Sequence, residues 1–346
     1  MRILMCSPNP LVRELGAPKV LIELADALRE IGETCDVVGP AEPKRASSYD
    51  VIEVDHEAGP FPRKASDLRP LVVARSVLLV DHLDHVPLPW LRRARGTFRR
   101  RARFRRAEAT MRACDLINVS NGDDKAALVG RGYPSAKVVV LPFGLSARRR
   151  AMFDQACGPS PPGGVARVAF VGTFDYRKGA RDFGKLAAAI CADAAELRLV
   201  GTAGLFPTAA DVLRFFPRGV RPRVQVVPRF DPDGLPRLLA DCSVGVFPSY
   251  YEGFGFGVLE MLAAAIPVIA YDAPGPPMML PREWLVPRGD VGAMSTKIIE
   301  LLRDRECLAR ARVRARELAQ PFEWIDIARR TVRAYADAIT RRAAHA

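Results

Sequence analysis

Two carboxylates eight positions apart, Glu252 and Glu260, bracket three alternating glycines, Gly253, Gly255 and Gly257. They lie in the stretch FPSYYEGFGFGVLEMLAAAIPVIAY, residues 247–271. Glycine lets the backbone come close to a ligand, and unpaired amides at a helix start favour an anion such as phosphate. A carboxylate on each side can accept from two separate hydroxyl groups, at about 1.5–3 kcal/mol for each charge-assisted bond. Hydroxyls at both ends with phosphate between them describe a nucleotide sugar. A tight turn with a capped helix would account for the glycines alone, and the two glutamates weigh against it.

Such chemistry needs elements to hold it. Val244 to Phe247 reads as the end of an apolar strand, and a short apolar helix then carries Glu260. Pro267 closes the helix, and Val268-Ile269-Ala270 opens another buried strand. This βαβ pattern puts a ligand at the strand's C-terminal edge. A second turn, Val171-Gly172-Thr173-Phe174-Asp175-Tyr176-Arg177-Lys178-Gly179, also follows a strand and precedes a helix. A lysine there can reach a diphosphate as a point charge. The alternative is a solvated basic turn.

Across the whole chain, 346 residues at 49% apolar composition suffice for two domains with full cores. The pattern predicts strands at Arg2 to Cys6, Cys35 to Val38, Asp50 to Val54, Leu71 to Ala74, Val77 to Val80, Leu116 to Val119 and Val138 to Leu141. Helices are predicted from about Pro18 to Ile31 and Leu91 to Cys114. A Pro- and Gly-rich stretch, 155–165, reads as a linker, after which strands recur at Val168, Leu197, Val224 and Ser243. Ile298 to Ala319 and Trp324 to Ala344 read as helices. Seven scattered cysteines without a C-x-x-C pair predict reduced thiols in a cytosol. The opening Met1 to Met5 run lacks the apolar length of a signal peptide, and no run approaches a bilayer span. The net charge of +13 is concentrated: Arg92 to Arg112 holds ten arginines and one acid, Glu108. That segment suits an anionic membrane surface, at about 1 kcal/mol per basic residue, or an anionic acceptor. A solvated face is the alternative, and the few aromatics (Phe98, Phe104) and lack of a nucleic-acid motif disfavour nucleic acid.

Glu252, seven intervening residues and Glu260, within PSYYEGFGFGVLEMLA, resemble the E-x7-E signature of group 1 retaining glycosyltransferases. The resemblance implies an α/β fold of GT-B type: two Rossmann-like doubly wound domains facing across a cleft, with a C-terminal helix crossing back to the first. It places the acceptor-side domain at 1–155, the nucleotide-sugar domain at 166–320 and the returning helix at 321–346. By it, Glu252 touches the donor sugar and Glu260 the ribose hydroxyls. The amides around Gly253, Phe254, Gly255, Phe256, Gly257 and Val258 contact sugar and diphosphate. Lys178 matches the family's lysine before glycine, and Gly172 its preceding turn. Thr173 stands where the family has an arginine, with Arg177 nearby as a substitute. Arg229, after a strand, lies where the family binds the base, and Gly16 lies in the opening loop, where the family often has a Gly-Gly pair. The family's sugar-facing histidine matches Ala74-Arg75-Ser76-Val77, which has none, so His56, His82 and His85 are the candidates, each also readable as a surface-loop residue. Asp231-Pro232-Asp233 resembles the D-x-D metal motif of GT-A enzymes, but precedes the predicted helix Leu235 to Ala240, where an Asp is the expected N-cap. No metal and no cofactor are therefore expected.

The implied activity is metal-independent retaining transfer of a hexose from a nucleoside-diphosphate sugar to a glycan, glycolipid or small-molecule acceptor. The implied location is cytoplasmic, including the inner face of a membrane. Two other classes remain. A Rossmann oxidoreductase is disfavoured because no G-x-G-x-x-G follows the first strand. A non-catalytic nucleotide-sugar or nucleic-acid binding protein on the same fold is favoured by Thr173, by the absent histidine, and by Pro274 to Leu280, where the family commonly has Gly-Gly and a glutamate.

Overall fold

Apolar runs four to six residues long, buried on both faces, are the signature of parallel strands covered by helices. The computed structural model builds two such sheets. It describes residues 1–7, 16–39, 48–60, 70–76, 86–158, 160 and 162–344, and for 16–18 and 90–100 the backbone alone. The chain divides into two compact units.

The first unit contains β1 (Arg2–Cys6), α1 (Gly16–Glu30), β2 (Thr34–Val38), β3 (Val51–Asp55) and β4 (Leu71–Ser76). It continues with α2 (Trp90–Ala113), β5 (Leu116–Val119), α3 (Gly122–Gly130) and β6 (Val138–Val140). Its sheet is parallel throughout, in the order β2-β1-β3-β4-β5-β6. The predicted strand at Val77 to Val80 lies outside the described residues.

The second unit comprises Ala147–Pro321 and, among the described residues before it, Val86 and Pro87. It holds α4 (Ala147–Ala156), β7 (Arg167–Val171), α5 (Phe183–Ala192), β8 (Glu196–Val200), α6 (Ala209–Leu213) and β9 (Val224–Val227). Then come α7 (Leu235–Leu239), β10 (Val244–Phe247), α8 (Phe256–Ala263), β11 (Val268–Tyr271), β12 (Leu285–Val286), α9 (Val291–Arg303) and α10 (Arg305–Ala319). The parallel order β12-β11-β10-β7-β8-β9 is the doubly wound order of a dinucleotide fold. Its crevice falls where the winding reverses, between β7 and β10. Those are the two strands whose following turns the sequence singles out.

The division falls before α4 rather than at the Pro- and Gly-rich stretch, so α4 belongs to the second unit. The helix expected over 298–319 is two helices: Asp304 ends α9, and its side chain caps α10 by accepting from the Cys307 amide at 2.9 Å. The final helix, α11 (Trp324–Ala344), belongs to the first unit, as the returning-helix reading requires. Its entry is tied to the end of the first sheet. The Leu145 amide donates to Phe322 O at 2.9 Å and the Trp324 amide to Leu145 O at 3.2 Å. A Cβ on Gly144 would lie 2.8 Å from the Trp324 nitrogen, so only glycine lets these segments pair. Trp324 Nε1 then donates to Glu23 of α1 at 2.8 Å.

Candidate active site

The turns after β7 and β10 are pressed together. Gly179 has φ +80°, and a Cβ there would meet Pro248 O at 2.3 Å. The Tyr250 amide donates to Arg177 O at 2.8 Å. On the β7 side, Asp175 accepts from the Lys178 amide at 2.9 Å and organises the turn.

This docking gathers both basic side chains on Glu252. Arg177 Nη1 donates to Glu252 Oε1 at 2.7 Å and to Tyr251 O at 2.9 Å. Lys178 Nζ lies 2.7 Å from the same Oε1 and 4.7 Å from the centroid of the Phe247 ring. Glu252 and Lys178 are both buried. Burial pushes the Glu252 carboxyl up, but Arg177 and Lys178 outweigh it and hold the group below the usual glutamate value. Burial pulls the Lys178 ammonium down and Arg177 adds to this, against the pull of Glu252. Arg177, the candidate substitute for an arginine at 173, is thus committed to Glu252. Thr173 itself is exposed and donates to Asp175 at 3.2 Å.

Glu252 is also fixed from behind by the segment that departs from the family pattern. Its amide donates to Pro274 O at 3.0 Å, and Gly275 (φ +104°) presses on its Cβ, where an added Cβ would sit 2.8 Å away. Tyr250 and Tyr271, in T-shaped contact at 5.4 Å, both donate to Asp182; the Tyr271 bond is 2.9 Å. Burial pushes Asp182 above the usual carboxylate value against these two hydroxyls.

After Gly253 and Phe254, both buried, Gly255 takes a left-handed conformation (φ 94°) and starts α8 without any side-chain cap. The helix begins against the end of β7: a Cβ on Gly257 would meet Val171 O at 2.1 Å. The N-cap of α8 is thus a glycine, which brings no side-chain acceptor of its own, and the Val258 amide donates to Gly255 O at 2.8 Å. Glu260 sits one turn further on, buried, and Arg149 of α4 donates to its Oε1 at 3.2 Å.

Other candidates lie apart from this cluster. Asp231 caps the short 3-10 turn Pro232–Gly234 by accepting from the Asp233 amide at 3.1 Å, rather than the expected helix at Leu235, whose N-cap is Gly234, and Asp233 pairs with Arg148 at 2.5 Å. Arg229 is exposed after β9. Gly16 is the first residue of α1, in the first unit. His56, read as a surface-loop residue, is instead buried at the end of β3. Its ring nitrogens have no hydrogen-bond partner and lie 3.7 Å from Asp55 Oδ1 and 3.8 Å from Glu57 Oε1. His82 and His85 lie outside the described residues. At the place matched to the family's histidine, Arg75 is buried in a two-point ion pair with Glu53. Sequence reasoning missed Arg149, Asp182 and the tyrosine pair.

Residues 166–304 match the sequence model of the family Glycosyl transferases group 1. O-antigen chain mannosyltransferase B of Escherichia coli is 33% identical over 104 residues, covering 30% of this chain. The aligned stretch spans only 27% of that relative's own length. Sucrose-phosphate synthase from Thermosynechococcus elongatus superposes with a TM-score of 0.74 at 20% identity, over 98% of this chain and 99% of the other. HepE of Anabaena, solved in complex with UDP-glucose, gives 0.71 at 17% identity, over 97% and 100%. The chain therefore has the two-domain α/β fold of GT-B glycosyltransferases, and its second unit carries the sequence pattern of the group 1 family.

Proposed function

We propose that the protein is a retaining glycosyltransferase that moves a hexose from a nucleoside-diphosphate sugar to a glycan, glycolipid or small-molecule acceptor without a bound metal. One observation carries the reading: Glu252 and Glu260, each held by basic residues, stand on either side of a helix start whose N-cap is the left-handed Gly255. The matched family and a structural relative solved with UDP-glucose support the donor class. In this reading the diphosphate lies at the α8 amides, where the helix dipole favours negative charge. Lys178 stabilises charge on the departing diphosphate, an electrostatic task. Glu252 holds the hexose with its anomeric carbon toward the acceptor, and Glu260 accepts from the ribose hydroxyls. The acceptor then attacks from the face that the diphosphate leaves, so the configuration is retained.

The test is release of nucleoside diphosphate from a panel of UDP-, GDP- and ADP-hexoses, with and without EDTA. One donor should be turned over at the same rate in both, and the anomeric proton coupling of the product should match that of the donor. No release from any donor, or an inverted product, sinks the reading.

The acceptor side includes an anionic membrane surface along α2. No helix among the described residues is long and apolar enough to cross a membrane. Arg101, Arg105 and Arg106 are exposed, whereas Arg103 is paired with Glu57 and Arg112 with Glu108, each at 2.7 Å. At about 1 kcal/mol per basic residue, reversing Arg101, Arg105 and Arg106 to Glu should weaken binding to phosphatidylglycerol vesicles by roughly a hundredfold or more. Undiminished vesicle binding would remove the membrane contact.

A further inference from the structure

Glu252 has two cationic partners from one turn, and they are held in different ways. Arg177 Nη1 and Lys178 Nζ each lie 2.7 Å from its Oε1. Arg177 is bound into the seam between the turns after β7 and β10. Its carbonyl accepts from the Tyr250 amide at 2.8 Å, and its Nη1 also donates to Tyr251 O at 2.9 Å. Lys178 stands instead beside Gly172. Its ammonium lies 4.7 Å from the centroid of the Phe247 ring and 3.6 Å from the place a Cβ on Gly172 would take. Gly257, in the first turn of α8, is packed on Val171 O, one residue before Gly172.

An ammonium is a point charge on a flexible four-carbon stem, whereas a planar guanidinium presents a fixed fork of donors. Lys178 can therefore swing from Oε1 to a phosphate oxygen near Gly172 without moving its backbone. Were it the sole partner, that swing would strand a buried carboxylate, which is strongly unfavourable. Arg177 is not free to follow, because leaving Glu252 would also break its bond to Tyr251 O. The two residues combine a fixed cation with a movable one.

The geometry points to Arg177 as the positioning residue of Glu252, and not as a second cation for the diphosphate. It keeps the carboxylate ionised and aimed at the hexose while Lys178 serves the leaving group. This rests on the reading of Glu252 as the hexose contact and of Lys178 as the diphosphate contact. It reverses the use that the sequence resemblance implied, with Arg177 standing in for an arginine at 173. Facing Glu252 are Arg177 and Lys178 after β7, with Asp175 acting on both, and Ser249 after β10. Pro274 and Gly275, which pack on it after β11, do not titrate. Burial raises the Glu252 carboxyl, and among the influences that lower it Arg177 is the largest. Removing Arg177 therefore raises that pKa and moves the acid limb of turnover to higher pH.

The experiment compares wild type, Arg177→Gln, Arg177→Lys and Lys178→Gln in the full chain, with Tm recorded for each. Calorimetric titration with UDP, GDP and ADP gives the diphosphate affinity. Release of nucleoside diphosphate from UDP-, GDP- and ADP-hexoses gives kcat and KM across pH. Lys178→Gln should weaken the diphosphate by about ten- to a hundredfold, the worth of one charge-assisted bond, and Arg177→Gln should leave it within about threefold of wild type. Arg177→Gln should instead lower kcat by about tenfold or more at neutral pH, with KM nearly unchanged. It should also move the acid limb of kcat up by about one pH unit. Arg177→Lys, which keeps the charge but not the fork, should restore the acid limb and only part of kcat. A diphosphate weakened as much by Arg177→Gln as by Lys178→Gln overturns the inference and makes Arg177 a phosphate ligand. An acid limb that stays in place while kcat and Tm fall together also overturns it, and marks a structural clamp. A wild type that binds the diphosphates but turns over no hexose donor sinks the transferase reading instead, and the affinity comparison then decides the role of Arg177 by itself.

Discussion

Glu252→Gln should lower kcat by about 10²- to 10³-fold while leaving the donor KM within a few-fold, because positioning and charge stabilisation act in the transition state. Glu260→Ala should do the reverse and mainly raise KM, since a ribose contact is made equally before and during transfer. Gln is the better replacement at 252, since Ala would also empty a buried position packed against Gly275. Either replacement of Glu252 leaves half-buried Arg177 and buried Lys178 without their shared carboxylate. Breaking a buried pair costs about 3–5 kcal/mol, and the partial exposure of Arg177 places the loss at the lower end. The pH dependence separates the two effects. The folded-state pKa of Glu252 lies below the ordinary 4.5, so its stabilising contribution is complete above that value and fades as pH falls through the lowered one. The Tm gap between wild type and Glu252→Gln should therefore be full at neutral pH and narrow in acid, while the kcat deficit persists at neutral pH. Equal kcat in the two proteins would remove Glu252 from the chemistry.

How much of this is legible in the sequence depends on the range of the interaction. Strands such as β1, β5 and β10 are set by local apolar runs, and their expected bounds agree with the structure to within a residue or so. Gly255 and Gly257 are legible because a left-handed residue and a 2.1 Å approach to Val171 O each demand a glycine within one short motif. The break at Asp304 was also local, an acidic cap inside Leu-Arg-Asp-Arg-Glu, but the helical periodicity on either side hid it. Arg149 sits among three consecutive arginines, and nothing near it distinguishes the one that reaches Glu260. Asp182 and Tyr271 meet 89 positions apart, a separation no periodicity encodes. His56 was misread because a polar residue at a strand end usually faces water. Here the segment after β3 is held down on α2, where Glu57 pairs with Arg103 at 2.7 Å and the Gly59 amide donates to Thr110 at 3.1 Å.

Glu53→Leu should be among the most damaging substitutions in the first unit. Arg75 donates to Glu53 through Nε at 2.6 Å and Nη2 at 2.7 Å, and the Tyr335 hydroxyl donates to Glu53 from α11. All three residues are buried. Burial alone would pull the Arg75 guanidinium down, but Glu53 overrides it and keeps the charged form strongly favoured. Removing the carboxylate strands that charge between β3, β4 and α11, at a cost of about 3–5 kcal/mol. The penalty belongs to the orphaned cation rather than to the lost bond, since a buried ion pair replaced whole by apolar residues is often neutral. Glu53→Leu combined with Arg75→Leu should therefore recover most of the stability lost in Glu53→Leu alone, and Tyr335→Phe should cost only about 1–2 kcal/mol. Hydrogen exchange in peptides covering β3 and β4 measures the opening free energy of this unit directly. A double variant no better protected than Glu53→Leu would show that the cost lies in repacking the sheet, and that α11 is held to the first unit by its apolar face and the Trp324–Glu23 bond rather than by the charge at its centre.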